Sequence, residues 1–247
     1  MKNTERKDVQ VAVTAFPNNW SRLEAFDECA RSHREKISAG RHSIGPMIVA
    51  AERVEEPYAR AFRRLCDFHK CELHWHDPPA DIGRNSNFLW GLCTAPYVLW
   101  TQEDNAFFRH VDISDDVDFL AANEDCVIVR YVRSHLIRVL REVPGTDLLE
   151  VDRGGPWPFT DMAHLRHRER FSLRIGPQPE GVPFGAAEAA IGDRIAKRAD
   201  CRVMLRKVQP ASHADVVRVL STQRGRWPPG AVEPALPPRL AWLLKEP

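Results

Sequence analysis

Glu103, Asp104 and Asn105 follow one another directly after an apolar run, in WTQEDNAF. Adjacent oxygen ligands of this kind suit a hard divalent cation, Mg2+ or Mn2+, which keeps positions open for diphosphate oxygens. The same residue types also make an ordinary polar turn at the end of a strand. Farther along, PEGVPFGAAEAAIGDRIAKR passes from a glycine-containing loop into a helix over Ala186–Ala199 and puts Glu188 in its first turn. A carboxylate there is kept ionised by the helix dipole, either to wait for a proton or only to favour the helix. Asp193, one turn on, is a second acid at i+4 spacing from Lys197.

These side chains need a scaffold, and the first half of the chain supplies alternating strands and helices. Strands are predicted at Val9–Phe16, Pro46–Glu52, Cys71–Asp77 and Pro96–Gln102. Helices fall between them: one capped by Asn19 or Ser21 and running to about His33, one over Tyr58–His69, and one within Asp81–Thr94. Such alternation with short connections implies parallel pairing and right-handed crossovers, so an open twisted α/β sheet. Ligands bind these sheets at the carboxyl ends of the strands, here Phe16-Pro17-Asn18, Glu52-Arg53, Asp77 and Glu103-Asp104-Asn105. The second half is less regular. A helix over Asp115–Asn123 and a strand over Cys126–Val132 precede Val151–Phe171, read as a long loop with a short helix. The helix bearing Glu188 and a strand at Cys201–Val208 follow, and then a tail with five prolines in fourteen residues from Gly225, read as a surface strap or partner-docking segment.

The order and spacing of several motifs resemble the GT-A glycosyltransferases, most of all the inverting enzymes of family 2, over roughly residues 9–215. VAVTAFPN resembles the family's opening strand and nucleotide-holding turn. MIVAAE ends in an acid as the family's second strand often does. DIGRNSNFLWGL resembles the helix entering the donor site, and WTQEDN stands where the family carries D-x-D. The resemblance implies one GT-A, Rossmann-like α/β domain with a mostly parallel central sheet flanked by helices. Residues 1–110 form its donor half, 111–224 its acceptor and catalytic half, and 225–247 a Pro-rich tail. It further implies that Thr14, Ala15 and Phe16 line the nucleotide pocket, that Glu52 accepts from base or ribose, and that Asp81, Arg84 and Asn85 meet base and diphosphate. Glu103, Asp104 and Asn105, with His213 after the last strand, would hold Mn2+ or Mg2+. Trp157 and Phe159 would stack on a sugar, with Asp161 and His164 beside the acceptor. Glu188 would be the general base that takes the acceptor's proton, with Asp193 as the alternative. The sequence departs from the family at the acid motif, where Glu103 and Asn105 replace the two aspartates.

The implied activity is transfer of a sugar from a nucleoside-diphosphate sugar, of UDP or GDP type, to a glycan or other hydroxyl acceptor with inversion. Two rivals share the layout. A nucleotidyltransferase would carry a glycine-rich loop after the first strand, and AFPNNWSRL has no glycine. A non-catalytic sugar-nucleotide-binding module would be consistent with Asn105 and the Pro-rich tail. Lys plus Arg is 35 and Asp plus Glu is 34, a balance that gives no global attraction to duplex DNA, although Arg166–Arg170 is locally basic. MKNTERKDVQ lacks the apolar run of a secretory signal, and no window approaches a membrane span. Six cysteines without metal-ligand spacing read as thiols in a reducing cytoplasm, and the Pro-rich tail would allow a segment-swapped homodimer.

Overall fold

The computed structural model describes residues 8–77, 81–132, 137–155, 158–159, 162–207, 211–213 and 236–245, with backbone alone at 184 and 211–213. In chain order the first half contains β1 (Val9–Ala15), α1 (Trp20–Lys36), β2 (Ile37–Ser38), β3 (Ile44–Glu52), α2 (Tyr58–His69), β4 (Glu72–His76), α3 (Ile82–Leu92) and β5 (Tyr97–Gln102). β1 is buried along its whole length, as expected of a central parallel strand covered on both faces. Its one amide, Gln10, is satisfied there by accepting from the Thr94 N–H at 2.9 Å. One face packs Val9, Val11 and Val13 against Leu23 and Phe26 of α1 and Phe62 and Leu65 of α2. The other packs Ala12, Ala50, Val98 and Trp100 against Leu89 of α3. Each fully buried Leu or Phe in these layers contributes about 1.5–3 kcal/mol. α1 starts where it does because the Asn19 side chain accepts from the Arg22 N–H. α3 is capped in the same manner by Asp81, which accepts from the Arg84 N–H.

The second half contributes β6 (Asn105–Phe107), β7 (Val111–Asp112), α4 (Ser114–Ala122), β8 (Cys126–Arg130), β9 (Val139–Glu142), β10 (Leu148–Val151), β11 (His164–His167), α5 (Arg168–Arg174), α6 (Phe184–Ala196), β12 (Arg202–Arg206) and β13 (Ala211–His213). The main sheet has nine strands in the order β4-β3-β1-β5-β11-β8-β12-β10-β9. The pairs β4–β3, β3–β1, β1–β5 and β8–β12 are parallel, whereas β11 and β10 run against the rest. The sheet is therefore mostly parallel in strand direction, with helices on its faces. α5 and α6 bury Phe171, Ile191 and Ile195 against Ile128, Val203 and Leu205.

The segment expected to be a long loop contains β11, wedged between β5 and β8, so His164 pairs with both Trp100 and Arg130. Its Arg166 is buried and stacks 4.3 Å from both Trp100 and Phe171, which replaces the water a guanidinium would otherwise need. Within the tail, a 3-10 helix over Pro238–Leu244 lies as a strap across α1 and α2. Leu240 and Leu243 are buried beneath it, and Arg239 pairs with Glu24 at 3.0 Å and Asp27 at 3.6 Å.

Candidate functional site

The carboxyl ends of β1, β3, β4 and β5 open at one edge of the sheet. β5 ends at Gln102, opposite Thr14 of β1, and Glu103 continues the ladder by donating its N–H to the Thr14 carbonyl at 3.0 Å. This register turns the three predicted ligand residues inward: Glu103 is 2% exposed and Asn105 0%. Arg22, in the first turn of α1, faces them. Its Nη1 donates to Glu103 Oε1 at 2.8 Å and approaches Asp104 Oδ2 at 3.4 Å. Asn105 Nδ2 donates to Asp104 Oδ1 at 2.8 Å, and Asn105 Oδ1 accepts from the Ala163 N–H at 3.5 Å. Burial pushes the Glu103 carboxyl up to about 7 despite the pull of Arg22, and the Glu103 charge in turn holds the Arg22 guanidinium above its ordinary value. The short strand β6 that leaves this turn pairs with β13, and that register sets the His213 backbone opposite Asn105.

The other residues expected at the donor site surround the same edge. Thr14 and Ala15 are fully buried at the end of β1, and among the described residues the Thr14 hydroxyl has no hydrogen-bond partner. Phe16 is half-buried beyond them. Glu52 is half-buried at the end of β3, across from His76 of β4. Asn85 is fully buried: its Nδ2 donates to the Ala15 carbonyl at 3.4 Å and its Oδ1 faces His76 Nε2 at 2.9 Å. It thereby ties the ends of β1 and β4 together. Asp81 is committed twice, accepting from the Arg84 N–H at 2.8 Å and from the Gly181 N–H at 2.7 Å. Arg84 is exposed, with its Nε 3.5 Å from Glu180.

Gly181 and Glu180 belong to the loop that leads into α6, and that loop is clamped to α3. Asn87 Nδ2 donates to the Gln178 carbonyl at 3.0 Å and to Glu180 Oε1 at 2.8 Å. A Cβ on Gly83 would stand 2.0 Å from the Pro179 carbonyl oxygen, so only glycine permits this approach. α6 begins at Phe184, two residues earlier than expected, and its first turn contains no acid. Glu188 is thus in the second turn, where the helix N-terminus acts on it less. Its positive neighbour is instead Arg130, at the end of β8, whose guanidinium burial pushes down to about 10 while the Glu188 charge opposes that fall. Glu188 is 6% exposed, and Arg130 Nη1 also donates to the Pro158 carbonyl at 3.2 Å. Asp193, the alternative acid, is exposed to solvent.

The residues expected beside the acceptor divide. Trp157 and Asp161 lie outside the described residues. Phe159 and His164 are enclosed, their rings 5.6 Å apart, and Phe159 also packs on Phe171. In this arrangement neither offers a face to a sugar. His164 accepts from Arg166 Nε and faces the Met162 carbonyl, and burial with the Arg166 charge keeps it neutral, well below the ordinary histidine range. The register joins the two acidic centres along one edge: Ala163 reaches Asn105, the next residue His164 pairs with Arg130, and the Glu188 charge acts on Arg130. Sequence reasoning missed Arg22, Arg130 and His76. Arg22 gives one faint signal, an arginine in the first turn of the helix that follows the opening strand.

No known protein-family profile matches the chain, and no curated protein matches it in sequence. Solved structures do match in shape, glycosyltransferases among them, and the fold is of the GT-A type. One is the mannosyltransferase PcManGT from Pyrobaculum calidifontis in complex with GDP-Man and Mn2+, 16% identical, with a TM-score of 0.53 over 81% of this chain and 57% of that one. A second is S. aureus TarS 1-349 in complex with UDP, 12% identical, with a TM-score of 0.52 over 79% of this chain and 57% of that one. The same TarS segment in another structure matches over 87% of this chain and 64% of that one, with a TM-score of 0.53. The chain spans a little over half the length of these structures.

Proposed function

We propose that the chain transfers a sugar from a nucleoside-diphosphate sugar, of UDP or GDP type, to a hydroxyl acceptor with inversion, with Glu188 as the general base. The reading is carried by one observation: the buried Glu188 and the 103–105 turn stand at the same carboxyl-terminal edge of a GT-A-type sheet, joined through Arg130, His164 and Ala163. Thr14, Ala15, Phe16, Glu52 and Asn85 line the donor end in this account, and Arg84 stands at its rim. The acceptor oxygen gives its proton to Glu188 and bonds to the anomeric carbon. The bond from that carbon to the diphosphate oxygen breaks, and its electron pair leaves with the nucleoside diphosphate. Arg130 supports the step by keeping a positive charge beside the buried carboxylate. The domain division at 110 and 224, family 2 membership and a glycan acceptor belong to the same proposal.

Mn2+ accompanies GDP-Man in one solved neighbour. In this chain the oxygens expected as its ligands already accept bonds: Glu103 and Asp104 from Arg22, Asp104 from Asn105, and Asn105 from Ala163. Among the described residues, no group of three or more His, Cys, Asp or Glu side chains is arranged to hold a metal ion. The arrangement does not fit a divalent cation as it stands, and no step is derived through one. Among the described residues, no helix is long and apolar enough to cross a membrane. Six free cysteines, five of them buried, suit the reducing cytoplasm in which we place the reaction.

The test is a screen of UDP-, GDP-, CDP- and dTDP-sugars for thermal stabilisation and turnover, run on the wild type and Glu188→Gln. The variant is expected to bind the donor as the wild type does and to lose transfer. Undiminished turnover in the variant would exclude Glu188 as the base.

A further inference from the structure

The 103–105 turn already holds a cation of the protein's own. Arg22 reaches both carboxylates through a single nitrogen, Nη1, at 2.8 Å from Glu103 and 3.4 Å from Asp104. A guanidinium carries five N–H donors, and its fork matches the oxygens of a phosphate. Among the described residues the contacts of Arg22 run through Nη1 alone, so Nε and Nη2 keep their donors. The side chain is 16% exposed, so it is anchored on its carboxylates yet reaches solvent. It stands in the first turn of α1, just past the carboxyl end of β1, where α/β sheets bind phosphates and where the helix N-terminus also favours an anion. Asn105 in place of an acid fits the same picture, since a third carboxylate would put more negative charge beside the phosphate.

We propose that Arg22 takes the place of a divalent cation at the donor diphosphate: Glu103 and Asp104 anchor it through Nη1, and its remaining donors receive the phosphate oxygens, so that the nucleoside diphosphate binds without metal. The inference rests on the donor-site reading above. It turns the predicted metal ligands into positioning residues for an arginine.

The experiment is calorimetric titration of the full chain with UDP and with GDP, once in EDTA and once in Mn2+. Wild-type affinity for whichever nucleotide binds is expected to agree within about twofold between the two conditions, because a guanidinium is charged at every working pH. Arg22→Gln is expected to weaken binding in EDTA by about tenfold or more, the scale of a lost charge-assisted bond to phosphate. Mn2+ should restore part of that loss, since the released oxygens of Glu103 and Asp104 can then ligate it. Arg22→Lys, which keeps the charge without the fork, should fall between the two and serves if the glutamine variant does not fold. Wild-type binding that disappears in EDTA and returns with Mn2+ would overturn the assignment of Arg22 while leaving the donor site standing. Binding of neither nucleotide in either condition would overturn the donor-site reading, and this inference with it.

Discussion

At the 103–105 turn one guanidinium nitrogen serves two carboxylates, whereas at Glu188 one carboxylate faces a guanidinium that is itself almost wholly buried. The two centres sit on one edge of one sheet, yet they are charged differently. At the turn burial pushes Glu103 up to about 7, Arg22 pulls it down and the Asp104 charge pushes it up again. At the helix the penalty of burial falls on the cation, with Arg130 pushed down to about 10 although the Glu188 charge opposes that fall. The first arrangement suits a place where further positive or hydrogen-bonding groups are gathered around phosphate. The second suits a buried carboxyl that is to receive a proton. Position within a helix does not explain the second, since Glu188 lies beyond the first turn of α6.

The largest effect is expected of Glu188→Gln, which should lower the transfer rate about 10²- to 10⁴-fold, as loss of a general base does, with nucleotide affinity unchanged. Arg130→Met should come next. It removes the charge that acts on Glu188 and leaves the Pro158 carbonyl without its Arg130 donor, and should cost about 1–3 kcal/mol in urea unfolding. In the Glu188→Gln background the same change should cost less, and equal costs in both backgrounds would show that the two residues are uncoupled. Gly83→Ala tests the seam between the regions. Its Cβ meets the Pro179 carbonyl at 2.0 Å, and the overpacking should cost about 1–3 kcal/mol, read as a lowered Tm. Asp27 offers a contrast to Glu103. Burial raises it, but His69 and Arg239 outweigh that, so its folded value lies below its ordinary one. Such a group adds stability above its unfolded value of about 4 and loses it as pH falls through the lower folded value. A drop in Tm between about pH 5 and pH 3 should therefore be smaller in Asp27→Asn than in the wild type. The smallest effect is expected of Arg53→Ala, which removes an exposed pair with Asp77 and should stay within about 0.5 kcal/mol.

The first half was legible because β1, β3 and β5 are β-rich, mostly apolar runs and turn residues or prolines separate its elements. Expectation and structure differ by one residue at the end of β1, two at the start of β3, one at each end of β4 and one at the start of β5. That the acid triplet lies at the tip of β5 followed from the same pattern. β11 was not legible. HLRH contains two histidines and an arginine, and nothing local to it announces that Trp100 and Phe171 will enclose Arg166. β9 is mostly exposed and charged, so its sequence is that of a loop. Arg22 was missed for a related reason. Along its own helix it is one more polar residue, and its partners lie 81 and 82 positions away. Phe159 and His164 looked like ligand contacts because aromatic and basic residues crowd that segment, but the crowding is what fills the space around a buried arginine.

The insertion of β11 between β5 and β8 has a consequence for how the molecule can be made. The strand that splices the sheet leaves the ribosome after both of its neighbours. Until residue 167 is out, Tyr97–Gln102 and Cys126–Arg130 each show the nascent chain's surroundings a bare apolar margin. A gene fragment cut before His164 keeps the donor strands and loses their shield, so insolubility of such a truncation would follow from the missing splice rather than from the cleft.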